Sequence, residues 1–349
     1  MKILKLLLLL LLVAKVGFAK EITDMIGRSV IVPDKPKKTY APSPYGAYAL
    51  YALDPTLLVG WIFDIDKEDY QFLHPTMQNL QTIGRLLGAG QNANLEVLLS
   101  KNPDLILMWK HSNEFTQKEE EMLRVLNAPY IFALEEEITD YPQIFRFLGK
   151  ALSREDRGKE LATYAEDLFS RVQQTVTSIA VEKRARVYYA EGVDGLATEC
   201  DDSIHVHLLK IAGDVNIHRC STTSHKGFEK ISMERVLEYN PDVILIQDEI
   251  FFRDIYNSAL WSQLDAVKNR RVYLIPRAPF NWFDRPPSFM RIMGLEWLMH
   301  TIYPDEYSLD LQSRTREFYK LFMGVDLSQA QLDHVLKGAT SLIKEVDMK

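Results

Sequence analysis

Between positions 200 and 225 the chain gathers Cys200, Asp201, Asp202, His205, His207, His218, Cys220 and His225, which takes in half of its 8 histidines and both of its cysteines. Thiolate, imidazole and carboxylate are the donors of zinc and other transition-metal sites. The spacing does not favour the simplest such site. His205 and His207 stand two apart, on different faces of a helix, so they cannot form the usual i,i+4 ligand pair. In an oxidising compartment Cys200 and Cys220 are better read as a disulfide closing the loop around this segment, with a metal site or free thiols as alternatives. His225, in Ser221-Thr-Thr-Ser-His-Lys-Gly227, is the best single candidate for direct contact with a metal or ligand. Its alternative is an exposed loop histidine, and the metal itself stays unassigned.

A second set of residues carries the chemistry of anion recognition. Arg85, Lys110, Arg277 and Arg285 supply positive charge, Tyr45, Trp109, Phe280 and Trp282 supply aromatic surface, and His111 and Glu191 add further polar groups. Arginine donates in a planar, bidentate way to carboxylate, catecholate or oxyanion groups, and aromatic rings cover the apolar face of a chelate. Each cation is otherwise a solvated surface charge. Arg285 stands apart because Asp284-Arg-Pro-Pro287 is stiffened by two prolines, although Asp284 can simply pair with it. Catalytic patterns are missing: the sequence has no Gly-x-Ser-x-Gly elbow, Walker loop, Gly-x-Gly-x-x-Gly or His-Glu-x-x-His. No catalytic residue and no intrinsic cofactor is assigned, and the chain is read as a non-enzyme. A metal-dependent hydrolase using the His/Asp/Cys cluster is the alternative from another class.

The elements that must position these groups follow from length and pattern. At 349 residues, 47% hydrophobic and 26% charged, the chain is too long for one simple core and suits two lobes. A formal charge of −7 argues against nucleic acid as a partner. Residues 1–19 read as a targeting segment: Lys2 and Lys5, an apolar run from Leu6 to Val13, then Gly17-Phe-Ala19 as a small-x-small cleavage site. The run is too short for a bilayer core that needs roughly 20 residues. The expectation is an exported, periplasmic, acidic monomer cleaved near Ala19, without a lipid-bearing cysteine.

Asn94-Leu-Glu-Val-Leu-Leu-Ser-Lys-Asn-Pro-Asp-Leu-Ile-Leu-Met108 recurs as Ser232-Met-Glu-Arg-Val-Leu-Glu-Tyr-Asn-Pro-Asp-Val-Ile-Leu-Ile246. Each copy reads as a short helix, an Asn-Pro stop and a buried strand, and the repeat implies two similar lobes. Alternating strands and helices on both sides give an α/β fold with parallel sheets. Expected strands include 57–62 and 82–84 in the first lobe. Between the repeats, apolar residues at helical spacing predict a helix of roughly 28 residues and about 42 Å, opened by Ser153 as its N-cap. The expected domains are therefore 1–19, a first lobe over 20–152, an interlobe helix over 153–183, and a second lobe over 184–349.

This plan resembles the helical-backbone (class III) periplasmic binding proteins, the vitamin B12-, ferric siderophore- and haem-binding components of ABC importers. The resemblance rests on Asn94-Leu-Glu96 with Pro103-Asp104, Met233-Glu234-Arg with Pro241-Asp242, Ile211-Ala-Gly-Asp214, and Ala266-Val-Lys-Asn-Arg-Arg-Val-Tyr-Leu274. It implies a ligand cleft between the lobes and an inner-membrane permease and ATPase as partners. It also implies that Glu96 and Glu234 dock onto permease arginines, the alternative being solvated helix residues. The loop from Arg277 to Ser288 resembles a branch assigned to metal chelates and oxyanions. The expected ligand is a metal chelate such as a ferric siderophore, haem or cobalamin. A molybdate- or tungstate-type oxyanion, or a nickel chelate, is the alternative.

Ligands in open α/β sheets bind outside the carboxyl ends of the strands. The first lobe is expected to offer Pro42 to Tyr45, Asp64 to Tyr70, Gly84-Arg85 and Trp109 to His111. The second is expected to offer Glu191 to Gly195, Asp248 to Phe252 and Arg277 to Arg285.

Overall fold

The computed structural model describes residues 19–86, 93–111, 117–220 and 228–337. His225 and residues 1–18 of the targeting segment lie outside them. The chain divides into two compact units, one of residues 1–64 and 79–162, the other of residues 65–78 and 163–349.

The first unit opens with an antiparallel hairpin, β1 (Ala19–Thr23) and β2 (Ser29–Pro33), that the sequence reading did not anticipate. Asp24 organises its turn, accepting from the Ile26 and Arg28 amides and from the Arg28 guanidinium. Its carboxylate also accepts from the Phe132 amide, and Arg28 lies 4.5 Å from the ring centroids of both Tyr130 and Phe132. The central elements are β3 (Thr39–Tyr40), α1 (Pro44–Leu53), α2 (Leu95–Lys101), β4 (Leu105–Lys110), α3 (Gln117–Leu126), β5 (Tyr130–Leu134), α4 (Tyr141–Leu152) and α5 (Glu155–Ser178). The sheet runs β3-β4-β5, all parallel, with Thr39 opposite Leu105 and Ile106 opposite Tyr130. Every residue of β4 is buried, as expected for a central strand covered on both faces.

Residues 57–62 and 82–84 do not form the expected strands. Asp54 accepts from the Thr56 amide and starts a 3-10 turn at Pro55–Leu57 that consumes the first of these residues. Single parallel bridges remain, Thr39 with Leu58 and Trp61 with Thr82.

The long helix also starts later than its pattern suggested. Ser153 is the left-handed C-cap of α4, with φ 55°, and its hydroxyl is engaged by Lys20. α5 therefore has 24 residues and spans about 36 Å at 1.5 Å per residue. Gly149 and Gly158 let α4 and α5 cross closely: a Cβ on Gly158 would stand 2.4 Å from the Phe145 carbonyl oxygen. Residues of α5 up to Ala162 cluster with the first unit and those from Thr163 with the second.

The second unit adds β6 (Arg186–Ala190), β7 (Ala197–Glu199), α6 (His207–Ile211), β8 (Val215–Asn216), β9 (Phe228–Lys230), α7 (Met233–Tyr239), β10 (Val243–Ile246), α8 (Glu249–Asp254), α9 (Asp265–Lys268), β11 (Val272–Leu274), α10 (Met290–Ile302), α11 (Leu311–Phe318) and α12 (Gln329–Val335). Its parallel sheet has the order β11-β10-β6-β8, and β7 and β9 pair separately as an antiparallel ribbon. Tyr188, Ile244, Ile246, Val272, Phe251 and Trp261 belong to the core on this sheet. α10 is apolar nearly all round and correspondingly buried. Its one buried acid, Glu296, is paired with Arg171 at 2.8 Å and Arg314 at 3.1 Å. Residues 65–78 belong to this unit: Gln331 donates to the Gln71 carbonyl, and the Phe72 ring stacks on His334. From Ile65 on, the segment Asp64 to Tyr70 expected on the rim of the first lobe therefore belongs to the second unit.

The repeat has the same local physics in both units. Asn94 and Ser232 cap the amides of Val97 and Arg235, and Asn102 and Asn240 end the helices at φ 50° and 38°. Asparagine tolerates that left-handed position better than most residues. Each Asp then caps the start of the neighbouring strand. Asp104 accepts from the Lys37 and Lys38 amides, and Asp242 from the Arg186 amide.

Candidate functional site

Each unit presents one polar edge where its parallel strands end. In the first unit, Glu135 lies just beyond β5, is 3% exposed, and accepts from the Trp109 indole at 3.0 Å. Its amide donates to the Lys110 carbonyl and its own carbonyl sits 3.0 Å from His111 Nδ1. The Tyr45 ring meets His111 edge-on at 4.6 Å. Arg85 is partly exposed, but its Nε is buried without a hydrogen-bond partner among the described residues. Gly84 before it adopts φ 90°, and its carbonyl accepts from the buried Tyr40 hydroxyl. Lys110 is 8% exposed. Trp109 is buried too, so the solvent-facing groups of this edge are Tyr45, Arg85 and His111.

The edge of the second unit is built around Arg285. Glu191 follows β6, Glu199 ends β7, and Asp284 precedes the arginine; all three carboxylates are essentially buried. Arg285 Nε donates to Glu191 Oε1 at 2.9 Å and contacts Asp284 Oδ2 at 3.1 Å, while Nη2 donates to Glu199 Oε1. Ser203 donates to the other Glu199 oxygen at 2.7 Å, and His205 Nδ1 stands 3.4 Å from Asp284 Oδ2. The Arg285 side chain is 35% exposed, and no hydrogen bond occupies its Nη1 among the described residues. Burial pushes the Glu191 carboxyl up to about 7, with the Asp284 charge adding to the rise and Arg285 opposing it. The same carboxylates hold the Arg285 guanidinium firmly protonated, against its own burial. Three acids around one arginine leave the cluster net negative when all are ionised.

Several sequence-assigned ligand contacts are placed elsewhere. Trp282 is fully buried, its indole donating to the Tyr319 hydroxyl at 3.3 Å, and its carbonyl oxygen would stand 1.8 Å from a Cβ on Gly294. Phe280 is 5% exposed. Buried indoles with satisfied N–H groups are core residues and offer no face to a ligand. Arg285 is no unpartnered cation, because the three carboxylates, including Glu191, claim much of its guanidinium. Arg277 is exposed and lies close enough to Asp69 to lower a carboxyl that burial and Asp66 raise to about 6. Glu135, Glu199 and Ser203 escaped sequence reading: nothing in their local pattern distinguishes them from surface polar residues.

Cys200 and Cys220 form a disulfide with a Cα–Cα distance of 5.0 Å. His218, which follows β8, lies beside it. Its Nδ1 is 2.9 Å from the Tyr239 hydroxyl and its Nε2 is 3.0 Å from Glu229 Oε2. His205 is not part of this group, since it faces Asp284. Glu96 and Glu234 are both exposed and occupy the second position of α2 and α7. Hydrogen bonding to backbone and to Ser232 holds the Glu234 carboxyl below the usual range.

A periplasmic binding protein family model matches residues 76–279. The chain belongs to this family of substrate-binding proteins, and its fold is that of the helical-backbone members. An ABC transporter solute binding protein from Sulfurospirillum deleyianum is 33% identical, with a TM-score of 0.82 over 91% of this chain and 99% of that one. Molybdate-binding protein MolA of Haemophilus influenzae is 24% identical over 91% of this chain and 96% of its own length. A vitamin B12-binding protein of Pectobacterium atrosepticum is 26% identical over 45% of this chain and 55% of its own.

Proposed function

We propose that this protein is the periplasmic substrate-binding component of an ABC importer, and that its cargo is a small oxyanion of the molybdate or tungstate class. One observation carries the choice of cargo: Arg285 is aimed by three carboxylates with Nη1 left to donate, while Trp109, Phe280 and Trp282 are buried. A bulky chelate needs aromatic area, whereas a compact anion needs a few oriented donors. Arg85, His111 and Tyr45 on the first unit offer donors of the same kind. The similarity to a molybdate-binding protein over nearly the whole chain supports this reading. A nickel or iron chelate is the second reading, favoured by the Tyr45–His111 ring pair at the first edge.

Binding needs no chemistry, and the cysteines of the alternative hydrolase reading are tied in a disulfide. Glu96 and Glu234, each at the same exposed position of its helix, are proposed to dock on permease arginines. Isothermal titration with molybdate, tungstate, ferric siderophore and cobalamin tests the cargo. One-to-one binding of molybdate that Arg285→Lys weakens supports the proposal. Stoichiometric binding of a chelate with no response to either oxyanion overturns it. Chelator-sensitive turnover of any substrate would restore the hydrolase.

A further inference from the structure

We infer that Cys200, Cys220, His218 and Glu229 form a second, thiol-gated site for zinc, separate from the ligand edges. The two sulfurs, a ring nitrogen of His218 and a carboxylate oxygen of Glu229 all lie within 4.8 Å of one another. In a tetrahedral zinc site with metal–ligand distances of 2.0–2.3 Å, donors stand roughly 3.3–3.8 Å apart, so small side-chain shifts close the set. Two thiolates, one imidazole and one carboxylate are ordinary zinc ligands.

The surroundings are those of a ligating histidine. Nε2 of His218 faces the cluster and Glu229, while Nδ1 faces the Tyr239 hydroxyl at 2.9 Å. A partner on the second ring nitrogen fixes the ring and leaves the first free for a metal. The donors sit on constrained backbone: Cys200 directly follows β7, Glu229 lies opposite Thr198 in the ribbon, and the Asn216 side chain donates to the Glu199 and His218 carbonyls. Cys200 and His218 are buried, whereas Glu229 is exposed and Cys220 half-buried, which provides an entry side.

In the oxidised protein the sulfurs are bonded to each other and the site is closed. A dithiol reductant opens it. Its two thiols become a disulfide, the Cys200–Cys220 bond takes up two electrons and two protons, and those protons leave as zinc binds the thiolates. Disulfide and metal are thus alternative closures of the same loop.

The test uses the full-length mature protein, oxidised and after phosphine reduction, titrated with Co²⁺ as a spectroscopic stand-in for Zn²⁺. We expect one Co²⁺ per reduced chain, with thiolate charge-transfer and tetrahedral d–d bands, displaced by Zn²⁺, and neither band in the oxidised protein. His218→Ala and Cys220→Ser should abolish the bands, and Tyr239→Phe should weaken binding about tenfold with the bands retained. Zn²⁺ should also raise the melting temperature of the reduced protein and leave that of the oxidised protein unchanged. Circular dichroism confirms that each variant is folded. Absence of the thiolate band in reduced, folded protein overturns the inference, as does an undiminished band in folded His218→Ala. An unchanged Co²⁺ affinity in Tyr239→Phe overturns the orienting role of that hydroxyl.

Discussion

Arg285 and Glu191 share a hydrogen bond of 2.9 Å at the end of β6, and the carboxyl in that pair titrates close to neutrality. The pairing makes the arginine's availability to an anion a function of pH. On the proposed cargo, a charged Glu191 would repel the incoming oxyanion and a protonated one would not.

Anion affinity should therefore rise on acidification. If only the protonated form of Glu191 admits the anion, the shift to about 7 predicts a roughly fivefold gain from pH 8 to 7 and about twofold more to pH 6. In Glu191→Gln the profile should be flat. Calorimetric titration with molybdate at these three values checks it, and a flat wild-type profile would contradict it.

Stability gives the same group a separate readout. The folded-state value lies above the ordinary 4.5, so the fold binds the proton more tightly than the unfolded chain does. The contribution of Glu191 then declines as pH rises from about 4.5 through 7. Glu191→Gln should melt above the wild type at pH 8 and the difference should shrink toward pH 5, as followed by scanning calorimetry.

Asp214 is buried against the Tyr303 hydroxyl, which donates to it at 2.6 Å, and burial pushes its carboxyl up to about 8. Tyr303→Phe removes that donor and should cost about 1–3 kcal/mol. The loss should grow above pH 8, where the wild-type Asp214 ionises with its donor in place while the variant's carboxyl, lacking it, is held higher still, and denaturant melts at pH 7 and 9 measure it.

Gly158→Ala places a methyl 2.4 Å from the Phe145 carbonyl oxygen and 2.9 Å from Gly149 Cα. Both neighbours are backbone, so the two helices must separate. A loss of about 1–3 kcal/mol is expected by thermal melting, with ligand stoichiometry preserved.

Charge reversal at both proposed docking positions, Glu96→Arg with Glu234→Arg, should cripple uptake in cells. Ligand affinity and melting temperature should stay nearly unchanged, because both side chains are exposed. Normal uptake by the double variant would remove these residues from docking.

Much of this architecture was legible in the sequence because its signals are local. β4 and β10 read as unbroken apolar runs, since both faces of each are covered, and Asn-Pro-Asp marks a helix end at its left-handed Asn and a strand cap at its Asp. The β7–β9 ribbon escaped because three-residue strands joined across a long segment carry no periodicity. Ser153 looked like a helix start because serine favours N-caps, yet it closes the preceding helix. The polar strand ends were legible by position, but the burial of their side chains was not. A tryptophan beyond a strand end has the same letter whether it lines a site or fills the core, and only packing decides, as at Trp282. The carboxylates on Arg285 come from three separate segments, a convergence that no spacing rule reports.

The placement of residues 65–78 in the second unit governs the order in which the chain can finish folding. The hydrogen bond between Gln331 and Gln71 closes a loop of 260 residues. Closing so long a loop costs entropy before its contacts contribute, so such pairings form late. Until α12 arrives, Phe72 lacks the His334 ring against which it stacks. Completion of the second unit is thus expected to need α12, the last described helix, to meet a segment that preceded most of it, and a chain truncated before Gln331 should expose that segment's apolar side chains to self-association.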